Sequence, residues 1–273
     1  MNLVYMNQKP KEYRIPYSSC PLCNFSFTKL ESYISTDKNY YELPDDMKNI
    51  QWVICNRCEH IFTDGYFNSE ALNFLFRNND APSKTSSLIN IEGRRPFWVP
   101  TLDKILGYVK SGKWLDVGAG EGSLLVAAAE YGFFPIALDL DSERVKFLKS
   151  TFNIDSYCSD IENFKQKDFD VISFMDVIEH LPFPGKAIED AHSKLKENGV
   201  LVISTPNTES PIWKPMTEAN LNTFYWHNLE HYHSFSKKNL YSLLRKTGFE
   251  PVNYSISNRY KICMEVIAKK VIC

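Results

Sequence analysis

The sequence has no long apolar run, no surplus of charge of either sign, and no repeated or low-complexity tract. Each absence excludes something. The most apolar stretch, residues 124–138, is broken by Glu130, Gly132 and Pro135. A bilayer span needs about 20 apolar residues in a row, so no membrane segment is expected. Residues 1–14 lack the apolar core and small-residue cleavage site of a secretory leader. A cytoplasmic protein is the expectation. Lys and Arg number 31 against 33 Asp and Glu, which leaves no global electrostatic case for a polyanionic partner. Apolar residues make up 44% and charged residues 23%. That mix excludes a wholly disordered chain and allows a sizeable core. The length of 273 residues fits one large domain, with or without a small one.

Three regions differ in texture. Residues 1–65 hold two cysteine pairs among short β-prone runs. Residues 66–112 read as a helical connector, with a loop at 78–84 and an apolar helical stripe at Leu102, Ile105, Leu106 and Val109. From residue 113 strand and helix patterns alternate. Strands are expected near 114–117, 134–138, 156–158, 169–174 and 200–204. Helices fall near 124–131, 142–152, 185–195 and 236–246, and two last strands near 250–256 and 260–268. Strands separated by helices require crossovers, so the sheet is expected to be doubly wound and mostly parallel. The last two strands are too closely connected for a crossover and should form an antiparallel edge hairpin.

The segment Asp116-Val117-Gly118-Ala119-Gly120-Glu121-Gly122 follows a strand and opens a helix. Glycine there tolerates positive φ and lets a ligand approach bare backbone. The dinucleotide pattern is not met, because position 123 is serine. With Asp139 ending the second strand, Asp160 after the third, and Met175-Asp176-Val177-Ile178-Glu179-His180 after the fourth, the sequence resembles the class I S-adenosylmethionine-dependent methyltransferases. The resemblance covers about residues 100–269 and is greatest to ubiquinone-type O-methyltransferases and small-metabolite and sugar enzymes. It implies an α/β fold with a seven-stranded Rossmann-like sheet and S-adenosyl-L-methionine as cofactor. It also implies a cofactor site at Asp116, Gly118, Ala119, Gly120, Gly122, Asp139, Leu140, Asp160, Ile161, Met175 and Asp176. In the family an acid at the place of Asp139 takes the two ribose hydroxyls, a task suited to a carboxylate's two acceptor oxygens. An acid at the place of Asp160 contacts the adenine amino group.

Cys20-Pro21-Leu22-Cys23 and Cys55-Asn56-Arg57-Cys58 are two C-x-x-C knuckles. Together they offer Cys20, Cys23, Cys55 and Cys58 as a closed tetrahedral shell for a structural zinc. Such a small ribbon holds too little core to fold without its metal. His60, two residues past Cys58, is a fifth candidate ligand but is expected to be a bystander to the metal, and Cys158, Cys263 and Cys273 show no ligand spacing. A four-cysteine ribbon joined to a methyltransferase domain resembles deoxysugar C-methyltransferases and related capsule or lipopolysaccharide enzymes, and also some ribosomal RNA methyltransferases. The sugar C-methyltransferases carry a further domain that has no match in this sequence. The RNA enzymes use a tighter ribbon and a basic surface. Here residues 1–65 hold seven Lys or Arg and eight Asp or Glu, which disfavours a nucleic-acid grip.

Residues 206–235 are expected to form an acceptor lid, with Trp213, Phe224, Tyr225 and Trp226 in it. Its end carries Glu230 and His231, which match an acid–base pair in the sugar enzymes. A hydroxyl acceptor must lose a proton, and histidine is the natural base near neutral pH. His231, His180 and His233 are the candidates, with Glu230 or Glu179 as orienters. The structural readings stand beside these: packing at a strand end for His180, loop fixation for His233. His192 reads as a solvated helix residue. Arg94 and Arg95 read as a solvated pair or as an attraction for a phosphate-bearing acceptor. No magnesium site of the catechol type is expected. The function expected is O-methylation of a small polar metabolite, such as a nucleotide-linked sugar or other surface-polysaccharide precursor. An RNA methyltransferase and a non-catalytic scaffold are the alternatives.

Overall fold

The structure is a computed structural model that describes residues 13–34, 47, 51–72, 84–219, 221 and 228–271. Of the loop expected at 78–84, residues 78–83 lie outside the described residues and Lys84 opens a helix; the aromatic residues at 224–226 and Cys273 also lie outside them.

Seven strands form the main sheet: β6 (Gly112–Val117), β7 (Phe133–Asp139), β8 (Asp155–Cys158), β9 (Phe169–Met175), β10 (Leu195–Pro206), β12 (Phe249–Ile256) and β13 (Cys263–Lys270). Their spatial order is β12-β13-β10-β9-β6-β7-β8. β8, β7, β6, β9 and β10 pair in parallel, and β13 runs antiparallel to both β10 and β12. The central strands are apolar on both faces, as strands covered by helices on each side must be. Trp114 and Leu115 of β6, Val171 and Ile172 of β9, and Leu201 and Val202 of β10 are fully buried.

The expected hairpin is present, with the last strand inserted between β10 and β12. The helices lie where the periodicity placed them: α2 (Ser123–Glu130), α3 (Ser142–Phe152), α4 (Pro184–Lys194) and α6 (Lys237–Lys246). α3 is capped by Asp141, whose carboxylate accepts from the Glu143 and Arg144 amides, and α6 by the Ser236 hydroxyl.

The connector differs from expectation. Helix α1 runs from Lys84 to Leu106, well upstream of the apolar stripe. It belongs to the core rather than to a linker. Trp98, Leu102 and Ile105 pack with Trp114 and Leu125, and the Trp98 indole donates to Ser123 Oγ at 2.9 Å.

The cysteine-bearing segment forms β1 (Arg14–Pro16), β2 (Phe27–Ile34), β3 (Gln51–Cys55), β4 (Ile61–Thr63) and β5 (Gly65–Phe67). It is not closed at residue 65. β5 pairs with β1, and β4 takes as its outer neighbour the short strand β11 (His233–Ser234) from the end of the expected lid. A bare sheet edge exposes unpaired amides and carbonyls, and β11 covers this one. Tyr17, Val53 and Phe62 share one apolar core with Leu201 and Phe235. The lid region itself carries a short helix, α5 (Trp213–Glu218).

Candidate functional site

The site grows from the carboxyl end of β6. The chain leaves the sheet at Val117 and turns through three left-handed glycines, Gly118 (φ 73°), Gly120 (φ 56°) and Gly122 (φ 80°). The three do different jobs. A Cβ on Gly118 would lie 2.6 Å from Val177 Cγ2, and one on Gly122 would lie 2.3 Å from Leu148 Cδ2. A Cβ on Gly120 would meet nothing within 4 Å. Gly118 and Gly122 are therefore held by protein, while Gly120 faces open space that a ligand can fill. Gly122, expected in the cofactor site, is the N-terminal cap of α2 and lines neither of the two cavities that meet at this loop.

Two cavities meet at this loop, and Gly118 lines both. One, of about 280 Å³, is an apolar slot between Leu138, Leu140, Ile161, Leu181 and Phe183, with Asp139 and Asp160 at its rim. The other, of about 400 Å³, is polar and runs under α1. Asp116, Ala119, Gly120, Met175, Asp176, Glu179, His180 and His231 line it. Residues from Asp116 to His231, far apart in sequence, thus face one cavity.

The acids differ in environment. Asp139 Oδ2 accepts from the Gly120 amide at 2.8 Å and Oδ1 from the Asp141 amide at 2.9 Å. Asp160 accepts from the Asn163 amide at 2.7 Å, closing a turn at the slot. Asp116 is buried and takes the Ser173 hydroxyl at 2.5 Å, with Ser173 held in turn by the Trp114 indole at 2.8 Å. Burial pushes its carboxyl up to about 7. Asp176, in the left-handed region at φ 58°, accepts from Ser204 Oγ at 2.7 Å and pairs with Arg259 at 3.2 Å. Burial raises it too, against the opposing pull of Arg259.

Glu179, His180 and His231 gather at the far end of the polar cavity. Their donor atoms all lie within 4.8 Å of one another, a set able to hold a metal ion or to relay a proton. Glu179 is buried and takes the Thr205 hydroxyl at 2.9 Å. Burial, with Asp176 nearby, pushes it up to about 8. The His180 ring meets the His231 ring edge to face at 4.6 Å. His180 Nδ1 stands 3.0 Å from the Glu230 carbonyl oxygen. A carbonyl only accepts, so Nδ1 carries the proton and Nε2 keeps a lone pair. Burial pulls His180 down to about 4, so it is neutral at pH 7.

Two expected catalytic residues are not brought to this cavity. Glu230 enters through its main-chain carbonyl, and its carboxylate lines neither cavity. His233 is buried elsewhere with both ring nitrogens engaged, Nδ1 with His60 Nε2 at 3.0 Å and Nε2 with the Leu181 carbonyl at 3.0 Å. It has no free nitrogen for an acceptor. His60 stands outside the four-cysteine group, as expected of a bystander to it, and is tied to His233 instead. His192 is packed edge-on against Phe249 at 5.2 Å rather than solvated.

Sequence reasoning missed Arg259, Trp98 and Cys263, which all line the polar cavity. Arg259 sits in the turn before β13, 4.7 Å over the Tyr260 ring and 5.7 Å from that of Trp98. No local motif marks that turn. Arg94 faces the cavity but pairs with Glu121 at 3.4 Å, and Arg95 pairs with Glu92 and Glu130.

The four cysteines converge as their spacing required. Cys20 Sγ lies 3.7 Å from Cys58 Sγ and Cys23 Sγ lies 3.4 Å from Cys55 Sγ. These gaps are too long for disulfides and are close to the ~3.8 Å edge of a tetrahedron with metal–sulfur bonds of about 2.3 Å. The Arg57 and Cys58 amides point at Cys55 Sγ at 3.4 and 3.5 Å. Those bonds hold the Cys55 thiol down, to about 7, against its burial. Among the described residues no helix is long and apolar enough to cross a membrane.

Comparison with known proteins bears on the family and the fold. A ubiquinone biosynthesis O-methyltransferase from Histophilus somni is 35% identical over 113 residues, which is 37% of this chain and 48% of that protein. A namesake from Coxiella burnetii is 33% identical over 100 residues, 34% of this chain and 43% of that one. The chain thus spans about half the length of these curated relatives. A SAM-dependent methyltransferase from Methanosarcina mazei superposes with TM-score 0.51 at 17% identity, over 62% of this chain and 97% of that one; likeness at that identity speaks for the fold alone. The family described as the methyltransferase domain matches residues 66–254, more than half of the sequence, and the chain belongs to that family.

Proposed function

We propose that this protein transfers a methyl group from S-adenosylmethionine to a hydroxyl oxygen of a small polar acceptor. The observation that carries the reading is the meeting, at Gly118, of an apolar slot rimmed by Asp139 and a polar cavity that ends on two histidines. The residues fit the cofactor. Leu140, Ile161 and Phe183 give its adenine a flat apolar wall, and Asp139 offers acceptor lone pairs to two ribose hydroxyls. Bare backbone at Gly120 leaves room for the methionine tail, and Asp116 and Asp176 offer carboxylates to its ammonium.

When bound, S-adenosylmethionine supplies a methyl group already activated on a sulfonium. The protein's task is then alignment and proton management. His180, neutral and with Nε2 unprotonated, takes the hydroxyl proton; His231, ring to ring with it, shares the acceptor end. The Glu230 carbonyl fixes the His180 tautomer. Arg259, Arg94, Asn228 and Glu121 make the acceptor side polar, which favours a hydroxylated metabolite. The O-methyltransferase relatives support oxygen as the receiving atom. A nucleotide-linked sugar or other surface-polysaccharide precursor is the class we infer, on the pairing of ribbon and methyltransferase domain. We infer that Cys20, Cys23, Cys55 and Cys58 hold a structural zinc, because four thiolates close its shell and leave no open position. The test is transfer of tritiated methyl to a panel of nucleotide sugars, catechols and phosphorylated metabolites. Silence across the panel from protein that binds S-adenosylhomocysteine would remove the acceptor reading.

A further inference from the structure

The ribbon touches the methyltransferase sheet at a particular place. After β9 the chain makes a short turn, Ile178–His180, and continues through Leu181, Pro182 and Phe183 into α4. One side of this segment walls the apolar slot. Its other side is held by the cysteine-bearing module. Tyr17 Oη donates to the Pro182 carbonyl at 2.7 Å. His233 Nε2 donates to the Leu181 carbonyl at 3.0 Å, and its Nδ1 accepts from His60, two residues beyond Cys58. The Phe183 ring is met edge-on by Tyr17 at 5.9 Å and by Tyr66 at 5.3 Å. Tyr232 completes the link: its amide donates to the Glu179 carbonyl at 2.8 Å, and its carbonyl accepts from the Thr63 amide at 2.9 Å.

The module is itself anchored on its far side. Asn239 Nδ2 donates to the Cys58 carbonyl at 2.7 Å, and Lys246 Nζ to the Leu22 carbonyl at 3.1 Å. Both knuckles are thus clasped by α6. A rigid knuckle between α6 and the slot wall can transmit position, and a carbonyl held from behind cannot swing into the slot.

We propose that the four-cysteine module is a positioning device for the cofactor pocket: Tyr17 and the His60–His233 pair hold the Leu181 and Pro182 carbonyls and so set the width of the adenine slot. Tyr17 and His233 are positioning residues, acting through the loop and not on the acceptor. The inference rests on the cofactor reading above. It gives the module work that requires no contact with nucleic acid or substrate.

The test is calorimetric binding of S-adenosylhomocysteine and of 5′-methylthioadenosine, which keeps the adenosine end and lacks the amino-acid end. Tyr17→Phe preserves the ring packing and deletes one buried hydrogen bond. It should raise both dissociation constants by about fivefold. His233→Leu should do the same or more. His233→Gln, whose amide nitrogen can still reach the Leu181 carbonyl, should recover most of the loss. Zinc content and thermal midpoint are read on each variant. Weakened binding of both ligands, with zinc retained and rescue by glutamine, supports the proposal. Unchanged affinity in folded Tyr17→Phe and His233→Leu overturns it and leaves the cofactor reading standing. Failure of the unaltered protein to bind either ligand overturns both.

Discussion

The Asp139 carboxylate accepts a hydrogen bond from the Gly120 amide at 2.8 Å. One contact ties the end of β7 to the glycine turn after β6. The acid is thereby aimed along the rim of the slot, with lone pairs left for a diol. Asp139→Ala removes both this tie and the proposed ribose contacts. Two hydrogen bonds to a charged group are worth about 3 kcal/mol together, so S-adenosylhomocysteine affinity should fall by about 100-fold. Calorimetry that finds it unaltered would break the assignment.

Gly118 separates shape from chemistry. Its φ of 73° and the 2.6 Å approach to Val177 exclude a side chain. Gly118→Ala should cost about 1–3 kcal/mol of stability and at least tenfold in cofactor affinity, because Val177 must move into the slot it lines. Gly120→Ala carries the left-handed strain of φ 56° but no clash, so it should lower the thermal midpoint less than Gly118→Ala while losing cofactor affinity.

Metal removal tests the ribbon. Denatured protein should release one zinc per chain to a colorimetric chelator, and Cys55→Ser should release markedly less. Because the ribbon shares its core and its β11 edge with the main sheet, chelation should lower the thermal midpoint of the whole chain in one transition. A second, independent transition would show the two parts uncoupled.

The His180 substitution reads catalysis. His180→Ala should lower kcat by about 10²- to 10⁴-fold, the usual worth of a general base, with S-adenosylhomocysteine affinity within a few fold of the unaltered protein. Equal losses in binding and turnover would make His180 a packing residue.

Buried ionisable groups predict a two-sided pH profile of stability. His180 and His233 are pulled down to about 4 from 6.5. The unfolded chain then binds more protons between those values, so stability is complete above pH 6.5 and is lost as pH falls toward 4. Glu179 is pushed up to about 8 from 4.5. There the folded chain binds the extra proton, so its stability is present below 4.5 and lost as pH rises through 8. Glu179→Gln should flatten the alkaline limb and leave the acid limb in place, as measured by urea unfolding from pH 4 to 9.

Much of the sheet was legible because its signals are local. Short apolar runs punctuated by glycine and proline marked β6, β7 and β10, and Asp141 and Ser236 marked the starts of α3 and α6. The glycine turn, Asp139 and Asp160 were legible for the same reason. Each follows a strand end, and strand ends in parallel sheets converge on one edge. The four cysteines carried their geometry in their spacing.

Other features were decided in three dimensions. Sequence alone determined the strand–helix alternation, the positive-φ turn and the thiolate set, since these follow from steric and ligand demands of residues close together in the chain. Only the tertiary structure decided which histidines face the cavity, that Arg259 closes on Asp176, that helix α1 belongs to the core, and that β11 finishes the ribbon sheet. Those outcomes depend on burial and on partners up to 173 residues apart, as in the His60–His233 pair. A side chain's neighbours at that distance are set by the packing of whole elements, which no local pattern encodes.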